Sequence, residues 1–313
     1  MSIRVQPYHA DDLPAWDALV QGSPYGTFLL QRGYMDYHAD RFQDVSVMLW
    51  QDHDLLAVFP ANQVGDQVYS HQGLTYGGLV FREELSAELV LACFQALKTY
   101  YQGLGVTTLH YRQLPSLYAQ ATQQAEEQAL NRLGARLTRS DLTLAVPLNQ
   151  PFAPSTLRRR QLKKAEAAGL TIRQTADVHP FHAQVLTPTL QERHEASPVH
   201  TAEELQLLKN RFPEAIQVIE VWQGDTPVGG TVLYRTPQVF HAQYIAATPM
   251  GRDLGALDLL FSTLITQHQG PQVWFNFGTV NEQQGTVINE GLRRWKESFG
   301  AQPFYHHFYT LGW

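Results

Sequence analysis

Residues 274–300 hold a strand, a loop and a helix in the pattern that organises the rest of the chain: WFNFGTVNEQQGTVINEGLRRWKESFG. The apolar run 273–277 predicts a buried strand, which Gly278 ends. Apolar residues then recur with the period of an α-helix, at Ile288, Leu292, Trp295 and Phe299. Gly300 stands where a glycine that ends the helix is expected. This stretch predicts an α/β unit.

Lys296 is the one cation of this predicted helix with no acidic residue three or four positions away. Spacing pairs Glu290 with Arg294 and Arg293 with Glu297, both at i,i+4. A lone lysine is most simply a solvated surface residue. The alternative is a lysine kept for chemistry, and spacing alone favours the first interpretation.

Length and composition predict an ordinary soluble protein of about two domains. The chain has 313 residues, 44% hydrophobic and 17% charged. Its net charge of −6 argues against a protein that coats nucleic acid, and we expect no DNA partner. The single cysteine, Cys93, cannot form an intrachain disulfide. No apolar stretch has membrane-spanning length and the N-terminus has no apolar signal region, so we expect a cytoplasmic protein.

The two halves of the chain repeat one order of elements. Placing Trp50 over Trp222 brings two three-strand patterns into register, and each leads to a helix and a further strand. The proline-rich segment 146–155 is the natural boundary. The prediction is therefore α/β (α+β), with domains at 1–148 and 149–313. Each is a mixed, mostly antiparallel sheet flanked by helices, and the terminal strand is free to pack back on the first domain.

The segment 248–256, TPMGRDLGA, is a candidate anion site. A strand that leads through glycines into a helix N-terminus presents backbone N–H groups to a pyrophosphate. Gly251 and Gly255 would allow close approach, Arg252 adds a positive charge, and Ala256 is expected to bind the same group. The alternative is an ordinary turn between a strand and a helix.

The segment 155–169, STLRRRQLKKAEAAG, predicts a basic helix that begins at Ser155 and ends at Gly169. Cations clustered on an acidic chain suggest an anionic ligand, either a diphosphate or an RNA backbone. A solvated helix face partly neutralised by Glu166 explains the cluster equally well.

The segment 191–200, QERHEASPVH, predicts a loop after a helix. His194 could serve as a general base near neutral pH, and Glu195 could orient it or act as the base itself. His194 and His200 have no third ligand at a recognised spacing, so no metal site is expected.

These segments together resemble the FemAB-like branch of the GNAT acyltransferase superfamily. The basic helix RRRQLKKAEAAG and the terminal RRWKESFG carry the resemblance to the branch. The stretches GTFLLQRGYMDYHADRF, SHQGLTYGG and ERHEASPVHTAEEL resemble a bacterial subgroup described as GNAT-family N-acetyltransferases. The resemblance covers essentially the whole chain and implies two tandem GNAT-like folds.

The resemblance also implies an activity. It implies transfer of an acetyl or aminoacyl group to an amine, from acyl-CoA as co-substrate or from aminoacyl-tRNA, with a cell-wall or nucleotide-linked precursor among the acceptors. Lys296 falls on the reaction-centre lysine of an FKxxFG-like motif, and Arg159 and Arg160 match an arginine that contacts the acceptor. We further expect five residues to bind substrate: Arg193, Tyr244, Asn276, Glu282 and Asn289.

Two features depart from the family pattern. Leu257 stands where the pyrophosphate signature has a small residue, and no heptad run for a tRNA-binding arm is present. The alternative function is therefore a non-catalytic GNAT-fold protein that binds a nucleotide-linked ligand. The sequence indicates no oligomeric state and no tightly bound cofactor.

Overall fold

A computed structural model describes residues 2–194, 196–268 and 270–313, with Arg193 and His194 described by their backbone. The chain forms two compact units, residues 1–141 with 305–313, and residues 142–304. The change of unit falls inside one long strand, whereas the sequence placed the domain boundary just after that strand, at residue 148.

The first unit begins with short strands and helices. Its strands are β1 (Ile3–Pro7), β2 (Gln43–Asp44), β3 (Val47–Gln51), β4 (Asp54–Phe59), β5 (Asn62–Val64), β6 (Gln67–Tyr69), β7 (Val80–Phe81) and β8 (Thr108–Arg112). Its helices are α1 (Leu13–Gly22), α2 (Arg32–Met35), α3 (Ala87–Gly103) and α4 (Gln124–Arg132). Helix α3 follows Ser86, whose side chain caps it by accepting a hydrogen bond from the Leu89 amide.

Strand β9 (Arg136–Pro147) leads into the second unit. Its strands are β10 (Thr171–Thr175), β11 (Ile216–Gln223), β12 (Thr226–Arg235), β13 (Val239–Ala247), β14 (Trp274–Thr279), β15 (Asn281–Glu282) and β16 (Val287–Ile288), and β17 (Gln302–Gly312) returns to the first unit. Its helices are α5 (Thr156–Ala167), α6 (His179–Phe181), α7 (Thr187–His194), α8 (Ala202–Arg211), α9 (Pro249–Leu254), α10 (Ala256–Thr266) and α11 (Glu290–Glu297). The main sheet of this unit has the order β10-β11-β12-β13-β14-β9.

The predicted repeat is confirmed for the first two strands of each three-strand pattern. Strands β3 and β4 of the first unit and β11 and β12 of the second form equivalent hairpins. The pairing register shifts between Leu49 and Trp50 in one hairpin and between Val221 and Trp222 in the other. A β-bulge thus lies at both tryptophans that align the halves.

The predicted three-strand meander of the first unit is wrong in its third strand. Strand β4 pairs with β3 on one side and with β7 on the other. Strand β6 belongs to a different sheet, where it pairs with β5 and β8. Pro60 follows β4 directly and has no N–H group for a sheet ladder, so the strand ends there. In the second unit β11, β12 and β13 form the predicted meander.

Helix α11 begins later than the apolar spacing predicted. Ile288 belongs to β16 and is 40% exposed, so it is not part of the apolar helix face. Asn289 ends the preceding hairpin and caps the helix, since its side chain accepts a hydrogen bond from the Leu292 amide at 2.9 Å. Trp295 and Phe299 pack on each other and on Phe277, with ring centroids 5.2–5.6 Å apart. Gly300 has φ 86°, as the predicted helix end requires.

Candidate functional site

Strands β13 and β14 of the second unit pair only at their beginnings. They run parallel, with Val239 opposite Trp274, Phe240 opposite Phe275 and His241 opposite Asn276. Beyond His241, strand β13 continues to Ala247 beside β12. The two strands therefore diverge after this third pair, and the residues that follow Asn276 line the wedge between them.

Lys296 reaches the end of β14 from helix α11. Its side chain is buried, with 3% of the residue exposed, and Nζ donates hydrogen bonds to the carbonyl oxygens of Gly278 at 2.9 Å and Thr279 at 2.7 Å. In the described parts of the chain no carboxylate lies within 4.0 Å of Nζ. Burial lowers its pKa from 10.5 to about 7. The lysine is thus a buried amine held by carbonyl groups, and the solvated-surface interpretation is wrong.

A tight turn after Phe277 aims these two carbonyl groups. Gly278 has φ 76°, and its amide donates to Oδ1 of Asn276 at 2.8 Å. The same oxygen accepts a hydrogen bond from Oγ1 of Thr143 at 2.8 Å. Asn276, 2% exposed, therefore fixes the turn from within the sheet. We expected it to bind substrate, but its amide oxygen already bonds to the protein.

His241 lies at the point where the strands diverge, and the sequence did not single it out. A methyl group on Gly278 would stand 3.5 Å from Cε1 of the His241 ring. The pKa of His241 is lowered to about 4, by burial first and also by the charge of Lys296. The imidazole is therefore neutral beside the lysine. Strand alternation places His241 on the same face of β13 as Val239, but the sequence pattern does not show which residues contact that face.

Glu282 and Asn289 are brought together at the start of α11. Oε1 of Glu282 accepts a hydrogen bond from Nδ2 of Asn289 at 2.7 Å. Asn289 in turn caps the helix that carries Lys296. The pair thus positions the helix relative to the hairpin formed by β15 and β16.

The segment 248–256 is a short helix followed by a turn. Thr248 caps α9, and its hydroxyl accepts a hydrogen bond from the Gly251 amide at 3.1 Å. A methyl group on Gly251 would lie 1.9 Å from the Val228 carbonyl oxygen, and one on Gly255 would lie 3.0 Å from that of Gln161. Both glycines are thus explained by close packing, and Gly255 also by its φ of 78°. Ala256 is buried at the first position of α10.

Arg252 is paired at the surface of this segment. Its guanidinium donates to the Ala247 carbonyl oxygen at 2.9 Å and lies 3.4 Å from the Glu192 carboxylate. An anionic ligand at this arginine would compete with Glu192.

The basic helix α5 has the predicted ends, with Ser155 as cap and Gly169 at φ 69°. Arg159 and Arg160 are exposed on it. Arg158 points inward instead and lies 2.7 Å from the Asp258 carboxylate of α10, an ion pair that is nearly buried on both sides. Burial raises the pKa of Asp258 to about 6, and the arginine opposes that rise. The buried pair was missed because sequence spacing does not show which cation of a cluster faces the protein.

The predicted loop 191–200 is partly helical. Residues 191–194 complete α7, which includes Arg193 and His194, and Glu195 lies outside the described residues. Tyr244 of β13 lies near the end of this segment, with its hydroxyl 2.7 Å from Nδ1 of the buried His200. The hydroxyl also accepts a hydrogen bond from the His200 amide at 3.2 Å. The pKa of Tyr244 is raised by burial.

The described residues contain no group of three or more His, Cys, Asp or Glu side chains that could hold a metal ion. None of their helices is both long and apolar enough to span a bilayer.

Comparison with known proteins gives a family match within the second unit. Residues 156–297 match the model of the acetyltransferase (GNAT) domain. Among curated proteins, no sequence is significantly similar to this chain.

Solved structures match almost the whole chain. FemX has a TM-score of 0.70 and 11% identity over 98% of this chain and 97% of its own. The C-terminal domain of a putative lysylphosphatidylglycerol synthetase from Agrobacterium fabrum has a TM-score of 0.63 and 14% identity, over 97% of this chain and 92% of its own. A tandem GNAT protein from the clavulanic acid biosynthesis pathway has a TM-score of 0.51 and 10% identity, over 99% of this chain and 98% of its own. At these identities the likeness is one of fold.

Proposed function

We propose that this chain is an N-acyltransferase, because residues 156–297 match the acetyltransferase (GNAT) domain and the chain has the fold of FemX and of a tandem GNAT protein. The observation that carries the proposal is Lys296, a buried amine bonded to two carbonyl groups where β13 and β14 diverge. In the proposed reaction an amine attacks the carbonyl carbon of an acyl thioester or ester. An N–C bond forms, the C–S or C–O bond breaks, and the amine loses a proton.

We propose that the second unit carries this reaction. Its wedge is lined by Gly278, whose lack of a side chain leaves room beside His241. In the first unit β6 and β8 also pair in parallel over three residues and then separate. There the chain's own loop bonds to the end of β8, through the Gly77 amide to the Arg112 carbonyl at 3.3 Å and the Arg112 amide to Oγ of Ser70 at 2.6 Å. An acyl donor would find that position already occupied.

Lys296 is proposed to stabilise negative charge. Two of its N–H groups are held by the carbonyl oxygens of Gly278 and Thr279. Protonation adds a third N–H group, which can donate to the oxyanion of the tetrahedral intermediate or to a donor phosphate. Since its pKa is about 7, both protonation states are populated at neutral pH. His241 stays neutral beside it and adds no competing positive charge.

The donor is proposed to lie with its phosphates at the turn between α9 and α10. Arg252 would exchange Glu192 for the phosphate, and the buried start of α10 at Ala256 would contribute its dipole. Acyl-CoA fits this arrangement as co-substrate, and aminoacyl-tRNA is the alternative donor. His194 or Glu195 would accept the proton from the amine, and Arg159, Arg160 and Arg193 would contact an anionic acceptor.

The test is turnover by a Lys296→Met variant, which keeps the length of the side chain but removes its charge. Purified protein is assayed with acetyl-CoA and a panel of amines, by release of the thiol, and with aminoacyl-tRNA. We expect turnover about 100- to 1,000-fold lower than in the wild type, as for loss of one preorganised donor. Lys98→Met, at a partly exposed lysine of α3 in the first unit, is the matched control. Equal turnover in the wild type and Lys296→Met would remove Lys296 from the reaction.

A second candidate, a non-catalytic protein that binds a nucleotide-linked ligand, is favoured by the packing of Gly251. The Gly251 amide already bonds to Thr248, so this segment offers one donor fewer to a pyrophosphate. Calorimetry with acetyl-CoA separates the two candidates. Binding of acetyl-CoA with transfer to any amine supports the enzyme, whereas binding of a nucleotide-linked sugar without transfer from either donor supports the alternative.

A further inference from the structure

Phe308 of the first unit is surrounded by charged and polar side chains. It lies on β17, between strands β8 and β9, and is directly opposite Arg112 in the sheet register. The guanidinium carbon of Arg112 is 5.7 Å from the ring centroid, and that of Arg139 is 4.6 Å from it. The ring of His306 is 4.4 Å away. Two guanidinium groups therefore share one aromatic ring.

Arg112 has little to balance its charge. Its guanidinium donates one hydrogen bond within the protein, to the Leu74 carbonyl oxygen at 2.6 Å. In the described residues it has no carboxylate within ion-pair distance. Burial lowers its pKa, the neighbouring Arg139 lowers it further, and the more distant charge of Asp141 opposes the change. A partly buried cation without a counter-ion is costly to maintain, and an aromatic face offsets only part of that cost.

The nearby carboxylate of Asp141 pairs with Arg139 and not with Arg112. The Nε atom and a terminal nitrogen of Arg139 bond to the two oxygens of Asp141, at 2.7 and 2.5 Å. That carboxylate is 6% exposed and holds Arg139 in place, while the arginine side chain stays 35% exposed. Two guanidinium groups and one carboxylate leave one positive charge in excess. Arg139 also keeps the cluster open to solvent on its side.

His306 does not add to this charge. Its pKa is lowered to about 3, by burial first and then by Arg112 and Arg139. The imidazole is therefore neutral at any physiological pH. It forms an uncharged wall beside the two arginines.

We propose that Arg112 and Arg139 bind an oxyanion, a carboxylate or phosphate group of a ligand, over Phe308 in the first unit. Two guanidinium groups present several donors in fixed directions, which suits either group. Asp141 orients Arg139, and the Leu74 carbonyl orients Arg112. The site lies wholly within the first unit and is independent of acyl transfer, so it can fail or hold whatever the outcome for Lys296.

The first experiment maps arginine reactivity on the intact protein. Phenylglyoxal modification is followed by peptide mass spectrometry in phosphate, acetate or chloride at equal ionic strength. We expect phosphate or acetate to slow modification of Arg139 relative to chloride. Arg136, exposed on the same strand, should react equally in all three salts. Equal reactivity of Arg139 in all three salts would overturn the proposal. Protection by phosphate alone identifies a phosphate site, and protection by acetate alone identifies a carboxylate site.

The second experiment tests Arg112 through the melting temperature. We expect phosphate or acetate to raise the Tm of the wild type and of the control Arg136→Met above that in chloride. Arg112→Met should bind the same anion about tenfold more weakly, as loss of charge-assisted hydrogen bonds implies. The same anion dependence of Tm in Arg112→Met as in the wild type would contradict the proposal. If Arg112→Met does not fold, Arg139 protection in the wild type decides the question.

Discussion

Replacing Lys296 by methionine should change how stability depends on pH, because burial lowers the lysine's pKa from 10.5 to about 7. The unfolded chain then binds a proton more readily than the folded chain at intermediate pH. The folded state therefore gains stability as pH rises through this range. The contribution of the neutral amine is complete above pH 10.5, declines as pH falls towards 7 and is constant below that value.

The magnitude follows from the size of the shift. Between pH 7 and pH 9 the free energy of unfolding of the wild type should rise by about 2 kcal/mol relative to Lys296→Met, because the slope is half of about 1.4 kcal/mol per pH unit at pH 7 and approaches that full value above it. Stability at a single pH is less informative. Methionine avoids the cost of burying a charge, but it leaves two carbonyl groups without a donor, each costing about 1–3 kcal/mol. These opposed effects nearly cancel near pH 7.

The measurement is urea unfolding at several pH values from 6 to 9, for the wild type, Lys296→Met and the exposed-site control Lys163→Met. Other titrating groups contribute equally to the wild type and its variants when they are distant from the substitution, so the difference isolates Lys296. A difference that grows between pH 7 and 9 for Lys296→Met, with none for Lys163→Met, is the expected result. Parallel curves would show that Lys296 is not an amine of lowered pKa.

Two further substitutions test buried carboxyl groups. Arg158→Met should lower the free energy of unfolding by about 3–5 kcal/mol, because Asp258 is left buried and unpaired. Adding Asp258→Asn to the same chain should recover most of this loss, as measured by urea unfolding. An Arg158→Met variant as stable as the wild type would contradict this prediction. Glu126 accepts hydrogen bonds from Tyr111 and from Gln113, and burial raises its pKa from 4.5 to about 7. Its stabilising contribution is complete below pH 4.5 and is lost as pH rises to 7, so the wild type should lose up to about 3 kcal/mol relative to Glu126→Gln over that range. A difference that is constant from pH 4.5 to 8 would refute this assignment.

The sequence predicted the elements that depend on local chemistry. Ser155 caps its helix, Gly169 and Gly300 follow the ends of theirs, and the aligned Trp50 and Trp222 lie in equivalent hairpins. It did not predict where a strand changes partner. The end of β4 at Pro60 has a local signal, but the pairing of β6 with β8 depends on a contact between residues about 40 apart in the chain. Such pairings follow from the whole unit and leave little trace in periodicity.

The candidate site was predicted only in part, because it too depends on contacts between residues distant in the chain. Lys296 was singled out because no acidic residue lies at helical spacing from it, and this absence is local information. Its burial and its carbonyl partners at Gly278 and Thr279 come from a turn some 17 residues earlier. Arg158 was hidden among the other cations of α5. His241 was hidden because one strand position looks like another until the neighbouring strand is known.

The two units differ in how they place a cation at equivalent positions. In each, the parallel pair covers three residues, ending at His110 in β8 and at Asn276 in β14. Two residues further on stand Arg112 and Gly278. In the first unit the strand itself supplies the cation, and Arg112 donates to the Leu74 carbonyl of the adjoining loop. In the second unit the position is a glycine, and Lys296 supplies the cation from a helix by donating to the Gly278 carbonyl.

Because an arginine keeps its charge at neutral pH while a buried lysine can lose it, the arrangement in the first unit suits binding of an anion. The second allows a change of protonation state during a reaction, and the difference argues for separate roles for the two units.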